Sequence, residues 1–206
     1  MPFLEALPIS GISISVIAEL RRETTICVSD DLAGVIDELQ FSLGEGPHWQ
    51  AIRTGSPSIV SDVANDPHTQ WPMFGEAVNN LGVGALFSFP LTLGVAVVGV
   101  ADMYRGTAGI FSPDDLDTAA RLSLAASAPA VQRATQSADR DSRMPGAAPE
   151  LRREVQQATG MILVQLDITA TEALSRLKAH SYSTGRPIDK VARDVVSRRL
   201  DFRYLE

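Results

Sequence analysis

Three basic residues near the C-terminal end of the chain have the spacing of a phosphate-contacting surface. Arg186, Lys190 and Arg193 stand at positions i, i+4 and i+7, so on a single α-helix they share one face. A row of cations that points to solvent suits contacts with nucleic-acid phosphates. The row suits a merely solvated face equally well, because Asp189 and Asp194 lie among the cations. The spacing alone leaves both interpretations open.

A tyrosine and two polar residues precede this row. Lys178, Ser181 and Tyr182 stand where a predicted helix ends. A tyrosine beside basic and polar groups suits stacking on an unpaired nucleic-acid base, and it equally suits packing of the helix end against the core. Together with the three cations, these residues are candidates for contacts with a nucleic acid.

The chain before residue 150 offers few side chains for catalysis or for metal binding. His48 and His68 are its only histidines, and Cys27 is the one cysteine of the whole chain. No metal-ligand spacing links the three, and a cysteine without a second thiol does not support dithiol redox chemistry. Hydrolase, zinc-protease and deaminase signatures are absent from the sequence. We therefore expect no enzyme, no metal and no cofactor, and we expect Cys27 to be a buried, inert thiol.

Other prominent residues of this part are better explained by structure than by ligand binding. Two glycines flank Glu45 in the sequence LGEGP at residues 43–47, which lacks the P-loop pattern and predicts a tight turn. Five aromatic residues are expected in the core rather than in a pocket wall: Trp49, Trp71, Phe74, Phe87 and Phe89.

The composition favours a cytoplasmic protein without a membrane span. The 206 residues are 45% hydrophobic and 21% charged, as in ordinary globular proteins. No apolar run approaches the roughly 18 residues that a transmembrane helix needs. The first ten residues lack the basic and long apolar regions of a secretory signal. A single cysteine also suits a reducing compartment.

Charge and composition divide the chain into two predicted domains. The net charge is −7, yet residues 150–206 hold ten lysines and arginines against eight acidic residues. This asymmetry suits a polyanionic partner at the C-terminal end, and it equally suits a small excess of positive charge that has no functional meaning. Residues 135–149 are small, polar and punctuated by proline and glycine, which predicts a linker between domains at 1–134 and 150–206.

Before the linker, the pattern predicts an α+β domain built on an antiparallel sheet. Alternating apolar runs predict strands at residues 12–17, 24–28, 58–63, 85–91 and 95–104, with a polar turn at 21–23 joining the first two. Short helices are predicted at 48–54 and 74–81. Ser112, followed by Pro113, predicts the start of a longer helix that ends near Ala134.

After the linker, strand signals stop and a small all-α unit of three helices is predicted. Apolar residues recur every three or four positions from Leu151 to Leu166. Thr169 and Glu172 have the spacing of a capping box that opens the second helix, and Pro187 stands at the expected first turn of the third. So small a unit buries little apolar surface alone, which predicts stabilisation by dimerisation.

The C-terminal segment resembles the ANTAR domain, the three-helix RNA-binding module of bacterial antiterminators. The resemblance rests on QATGMIL at residues 157–163 and on TATEALSRLKAHSYSTGRPIDKVARDVV at residues 169–196. Two positions depart from the family pattern: Thr159 stands where the family often has lysine, and Gly185 where it often has asparagine. The resemblance implies RNA binding by these helices, with Thr159 as a further candidate contact.

The N-terminal segment resembles the GAF domain, a fold that senses small ligands or other signals. The resemblance rests on residues 43–63, 71–91 and 97–106. The family usually has a helix before its first strand, and so few residues precede that strand here that we expect a truncated start or a differently capped sheet. GAF followed by ANTAR is a known pairing, so the two resemblances support each other.

Two functions of different classes follow. The first is a signal-responsive antiterminator, a homodimer that binds hairpins in nascent RNA through its C-terminal domain, with a possible small-molecule ligand in the GAF-like domain. The second is a small-ligand sensor or protein-interaction module whose helical tail only dimerises. Burial of the face at residues 186–193 would favour the second.

Overall fold

The computed structural model describes residues 1–18, 22–141, 150–186 and 188–204. It divides into two compact units, Met1–Arg140 and Asp141–Glu206, called here the N-terminal and C-terminal units. None of the described helices is both long enough and apolar enough to cross a bilayer.

The N-terminal unit is an α+β domain, as the sequence predicts. Its five strands form one antiparallel sheet in the order β2-β1-β5-β4-β3. In chain order its elements are α1 (Pro2–Ala6), β1 (Gly11–Ala18), β2 (Arg22–Val28), α2 (Asp31–Leu43), α3 (Pro47–Thr54), β3 (Ser58–Val60), α4 (Pro72–Asn79), β4 (Ala85–Leu93), β5 (Ala96–Arg105) and α5 (Pro113–Asp141).

Alternation along the central strands gives the sheet two apolar faces. Phe87 and Met103 pack on the side of α1 and α5, where Phe111 stacks on Phe87 with ring centroids 3.8 Å apart. Their neighbours Leu86 and Tyr104 face the other way, among residues of α2 and α4. Each large side chain buried in this way stabilises the fold by about 1.5–3 kcal/mol. The aromatic residues predicted in the core lie there, except Trp49, which is half-buried.

The start of α5 follows its sequence signal. The amide of Asp115 donates to the Ser112 hydroxyl (3.1 Å), and the Asp115 carboxylate accepts from the amide of Ser112 (3.1 Å). The helix then continues to Asp141, past the expected end near Ala134. The rest of the predicted linker, residues 142–149, lies outside the described residues.

Several local expectations are wrong. Helices α1 and α2 were not predicted, and a short helix does precede the first strand. Strand β3 ends at Val60 rather than at residue 63. Glu23 does not lie in a polar turn but in β2, with 3% of its surface exposed; residues 19–21 lie outside the description.

The C-terminal unit is all-helical. It consists of α6 (Glu150–Leu166), α7 (Ala170–Ser183), α8 (Ile188–Val196) and a 3₁₀ turn, Phe202–Tyr204. The capping box is confirmed, because Thr169 and Glu172 exchange hydrogen bonds at the start of α7. Pro187 and the side chain of Leu151 lie outside the described part. The core is made of small and branched apolar residues with one ring: Val155, Ala158, Ile162, Ala173, Leu177, Ile188, Val191, Ala192, Val195 and Phe202.

Candidate functional site

The three predicted phosphate-binding cations occupy three different settings. Helix α8 begins at Ile188, so Arg186 lies in the turn before the helix and not on its face. Arg186 is exposed, and its guanidinium donates to the carboxylate of Asp194. Lys190 is also exposed, and within the described part of the chain it has no ion pair. Both cations are accessible to a polyanion.

Arg193 has a structural partner. Its Nε and Nη2 donate to the two carboxylate oxygens of Glu154, at 3.2 and 3.1 Å. Glu154 lies on α6, so this two-point ion pair joins α8 to α6. Arg193 is also only half-buried. It therefore reaches the surface near Lys190 while it remains paired with Glu154.

The turn between α7 and α8 presents the candidate residues on a fixed backbone. The Ser181 hydroxyl donates to the carbonyl of Arg186 at 2.6 Å and closes the turn. Gly185 has a φ of 62°, in the left-handed region that glycine and asparagine tolerate best. Glycine here, like the asparagine that the family often has, therefore tolerates this backbone conformation. Tyr182 is 71% exposed, so it does not pack against the core as one reading of the sequence allowed.

Two other candidates are engaged within the unit. The Thr159 hydroxyl donates to the carbonyl of Val155 at 2.7 Å, one helical turn back along α6. Lys178 is half-buried and interacts within the chain. The candidates that face solvent are thus those around the α7–α8 turn.

The N-terminal unit contains a buried polar array that the sequence analysis did not foresee. Nδ1 of His48 lies 2.6 Å from Oδ2 of Asp102, and the Ser88 hydroxyl donates to Oδ1 of the same carboxylate at 2.5 Å. Nε2 of His48 lies 3.5 Å from a carboxylate oxygen of Glu23. Burial disfavours the protonated ring, but the two carboxylates outweigh it and hold the pKa of His48 well above its ordinary value. The available signal was that Ser88 and Asp102 interrupt apolar β-runs.

Gln40 on α2 ties this array to the following loop. Its side-chain carbonyl accepts from the amide of His48 (2.9 Å), and its backbone carbonyl accepts from the indole of Trp49 (2.6 Å). A Cβ on Gly46 would lie 2.5 Å from Gln40 Oε1, and Gly46 has a φ of 113°. The tight turn predicted at residues 43–47 is therefore confirmed.

Glu45, between the two glycines, caps another helix. Its carboxylate accepts from the amides of Met73 (3.0 Å) and Phe74 (3.1 Å) in the first turn of α4. Trp71, at the N-cap position itself, makes no side-chain cap. The LGEGP segment thus provides a capping carboxylate for the N-terminus of α4 and is not explained by phosphate binding.

The inner face of the sheet, which is the face that packs against α2 and α4, leaves almost no empty space. The cavity between α2 and the strands, beside Gln40, Ser88 and Asp102, has a volume of about 10 Å³, which is room for about one water molecule. A ligand cannot enter there without movement of side chains.

A larger cleft lies at the sheet edge. It measures about 240 Å³, has a mostly polar lining, and lies between β3 and the segment 66–71. His68 lines it with a φ of 47°, and its Nε2 hydrogen-bonds to the carbonyl of Val63 at 2.8 Å. Such a left-handed conformation is uncommon for a residue with a side chain. Trp71 forms part of the same wall.

The remaining reactive side chains suggest no further site. Among the described residues, no group of three histidine, cysteine, aspartate or glutamate side chains is arranged to hold a metal ion. Cys27 is half-buried, and burial raises the pKa of its thiol although Arg133 opposes the shift. Its nucleophilic thiolate form is therefore disfavoured.

Comparison with known proteins assigns both units. The GAF domain family matches residues 4–128, and the ANTAR domain family matches residues 146–196. No match was found among curated proteins.

The chain is also similar to solved structures. One is a GAF domain region from Geobacter sulfurreducens PCA, with 17% identity, 63% of this chain and 85% of that chain covered, and a TM-score of 0.50. Another is the GAF domain/HD domain protein from Geobacter sulfurreducens, with 12% identity, 65% and 87% covered, and a TM-score of 0.49. A third is the GAF domain of a two-component sensor histidine kinase from Bacillus halodurans, with 16% identity, 63% and 88% covered, and a TM-score of 0.46. At such identity the first likeness concerns the fold alone.

The two family matches cover most of the chain in the order GAF, then ANTAR, and the fold of the N-terminal unit agrees with the first. Both families are regulatory. The chain therefore belongs to the GAF domain family and has the GAF-ANTAR architecture of a transcription regulator of the antiterminator type.

Proposed function

We propose that this protein is an RNA-binding antiterminator that binds hairpins in nascent RNA under the control of its GAF domain. The observation that carries the proposal is the exposure of Tyr182, Arg186 and Lys190 around the α7–α8 turn of an ANTAR domain. As a bacterial antiterminator it would meet nascent RNA in the cytoplasm, and we place it there. A homodimer would place two such surfaces on one RNA.

The surface suits RNA in both charge and shape. The Arg186–Asp194 pair is exposed, and exposed pairs contribute only about 0–1 kcal/mol, so Arg186 can exchange Asp194 for a phosphate at small cost. Lys190 adds a second cation. Tyr182 offers a ring on which an unpaired loop base can stack. Arg193, held by Glu154, contributes by keeping α8 in place and reaches phosphate only at the rim.

We infer that a small polar ligand, if one controls the protein, binds in the edge cleft rather than on the inner sheet face. The inner cavity has room for about one water, whereas the cleft is larger and polar. A ligand acts by favouring one of two populated conformations. Trp71 lines the cleft. A Trp49→Phe variant keeps Trp71 as its single tryptophan, and the fluorescence of Trp71 should change when a ligand enters the cleft. If no compound in a metabolite screen changes this fluorescence, the result argues against the cleft as the ligand site.

The proposal is tested with a pool of RNA hairpins whose loops are randomised. The double variant Arg186→Ala/Lys190→Ala is expected to bind the selected hairpins more weakly, with a slope of log affinity against log salt that falls by about 0.7–0.9 per lost contact. Its folding should hardly change, because both side chains are exposed.

Arg121→Ala is the matched control, since Arg121 is also an exposed arginine paired with an aspartate, but on α5. It should bind RNA like the unchanged protein. A folded double variant with unchanged affinity and unchanged salt slope would refute the proposed interface.

A further inference from the structure

The chain that follows α8 folds back onto the C-terminal unit. Phe202 is 7% exposed, and its amide donates to the side-chain carbonyl of Gln165 on α6 at 3.1 Å. The ring of His180 on α7 meets the Phe202 ring edge-on, with centroids 5.5 Å apart. The segment 198–204, called here the C-terminal segment, is thus anchored to two helices. It lies beyond residue 196, where the ANTAR family match ends.

The anchored segment displays cations and a ring. Arg198, Arg199 and Arg203 are exposed, and Tyr204 is 80% exposed. The guanidinium carbon of Arg203 lies 5.7 Å from the centroid of the Tyr204 ring. Phe202 is the residue that packs against the helices, so packing does not explain why an aromatic residue stands at position 204. An exposed tyrosine beside arginines is the combination that stacks on bases and contacts phosphates in single-stranded RNA.

The C-terminal segment is continuous with the surface around the α7–α8 turn. Asp194 accepts hydrogen bonds from both Arg186 and Arg199, the latter through Nε at 2.8 Å. One carboxylate therefore holds an arginine of the turn next to an arginine of the segment. Arg203 is paired with Asp201 at 2.6 Å, again at the surface, where such pairs exchange readily. Arg198 has no ion pair with any described residue.

We propose that the C-terminal segment is a second RNA-contacting element, in which Arg198 and Arg203 contact phosphates and Tyr204 stacks on an unpaired base. The inference rests on the proposed RNA binding and extends that interface beyond the ANTAR domain. It adds a second exposed ring, Tyr204, to Tyr182, on a segment that the Asp194 carboxylate joins to the α7–α8 turn. An unpaired base and its flanking phosphates are the part of the RNA that this element recognises.

The test uses the full chain and the same randomised-loop hairpins. Tyr204→Ala is expected to weaken binding about fivefold or more, while Tyr204→Phe, which keeps the ring, retains the affinity. Arg198→Ala/Arg203→Ala should lower the salt slope by about 0.7–0.9 per contact. Phe202 stays in place in all variants, and circular dichroism confirms that the helices are intact. Arg121→Ala again serves as the control.

The outcomes separate this inference from the function on which it rests. If the unchanged chain binds hairpins and all segment variants bind equally well, the C-terminal segment has no RNA role and the proposed function stands. If the arginine variant loses salt dependence but Tyr204→Ala has no effect, the stacking is refuted. If the unchanged chain binds no hairpin of the pool, both proposals fall. Capture of an acidic protein that depends on Arg198 and Arg203, with RNA binding unaffected, would also overturn the inference.

Discussion

Replacement of His48 by glutamine is expected to weaken the N-terminal unit and to remove much of its pH dependence. His48 is 2% exposed and lies between Asp102 and Glu23. Burial opposes its charge, but the carboxylates raise its pKa well above the ordinary value. A raised pKa means that the folded state binds the proton more tightly than the unfolded chain. The stabilisation is therefore complete below the unfolded-state pKa of about 6.5 and is lost as pH rises through the folded-state pKa.

The size of the effect follows from burial. Removal of one partner from a buried ion pair costs about 3–5 kcal/mol, because a charge is left without its counterpart. At about 2–4 °C per kcal/mol for a chain of this size, the melting temperature of the variant should fall by on the order of 10 °C at slightly acidic pH. Towards alkaline pH the difference should shrink, because the unchanged protein then loses its own proton.

The assay is thermal unfolding followed by tryptophan fluorescence at acidic and at alkaline pH. Trp49 and Trp71 are the two tryptophans of the chain, and both lie in the N-terminal unit, so the signal reports that unit alone. His180→Gln, in the C-terminal unit, is the control and should leave the curve unchanged. If a His48→Gln variant is as stable as the unchanged protein at acidic pH, or keeps its full pH dependence, the charged His48 does not stabilise the N-terminal unit.

Three further predictions concern caps, boundaries and assembly. Glu45→Ala should lower the free energy of unfolding by about 1 kcal/mol, because the first turn of α4 loses its acceptor; Glu45→Gln should lose less, and an unshifted urea midpoint would contradict this role. Limited proteolysis should cut first between residues 134 and 149, and first cuts inside the sheet would place the domain boundary elsewhere. Light scattering should give twice the mass of the chain, since so small a helical unit is marginal alone; a monomer throughout the micromolar range would contradict the dimer.

The strands were predictable because their signal is local. Alternating apolar residues mark β1 and the β4–β5 hairpin, and nothing in the tertiary structure overrides them. Helix α2 was not predicted because its buried face contains Asp37 and Gln40, which interrupt the apolar stripe. One carboxylate oxygen of Asp37 accepts a hydrogen bond from the Thr25 hydroxyl at 2.8 Å. A polar residue on a buried helix face makes sense only once its distant partner is known.

The C-terminal surface was predictable in residue type but not in geometry. A helical wheel assumes that all three cations lie on one continuous helix. Because α8 starts only at Ile188, Arg186 precedes the helix and does not share a helical face with Lys190 and Arg193. Arg193 pairs with Glu154, 39 positions earlier in the chain, and no local pattern can show that contact. The exposure of Tyr182 likewise decided between two readings that the sequence left equal.

Sequencing of RNA crosslinked to the protein in cells tests the central claim most directly. We expect recovery of hairpins from nascent transcripts upstream of terminators, and a marked loss of these sequences from the variant Tyr182→Ala/Arg186→Ala/Lys190→Ala. Crosslinked RNA that is no richer in hairpins than the background, or that is the same for the unchanged protein and the folded variant, would contradict it.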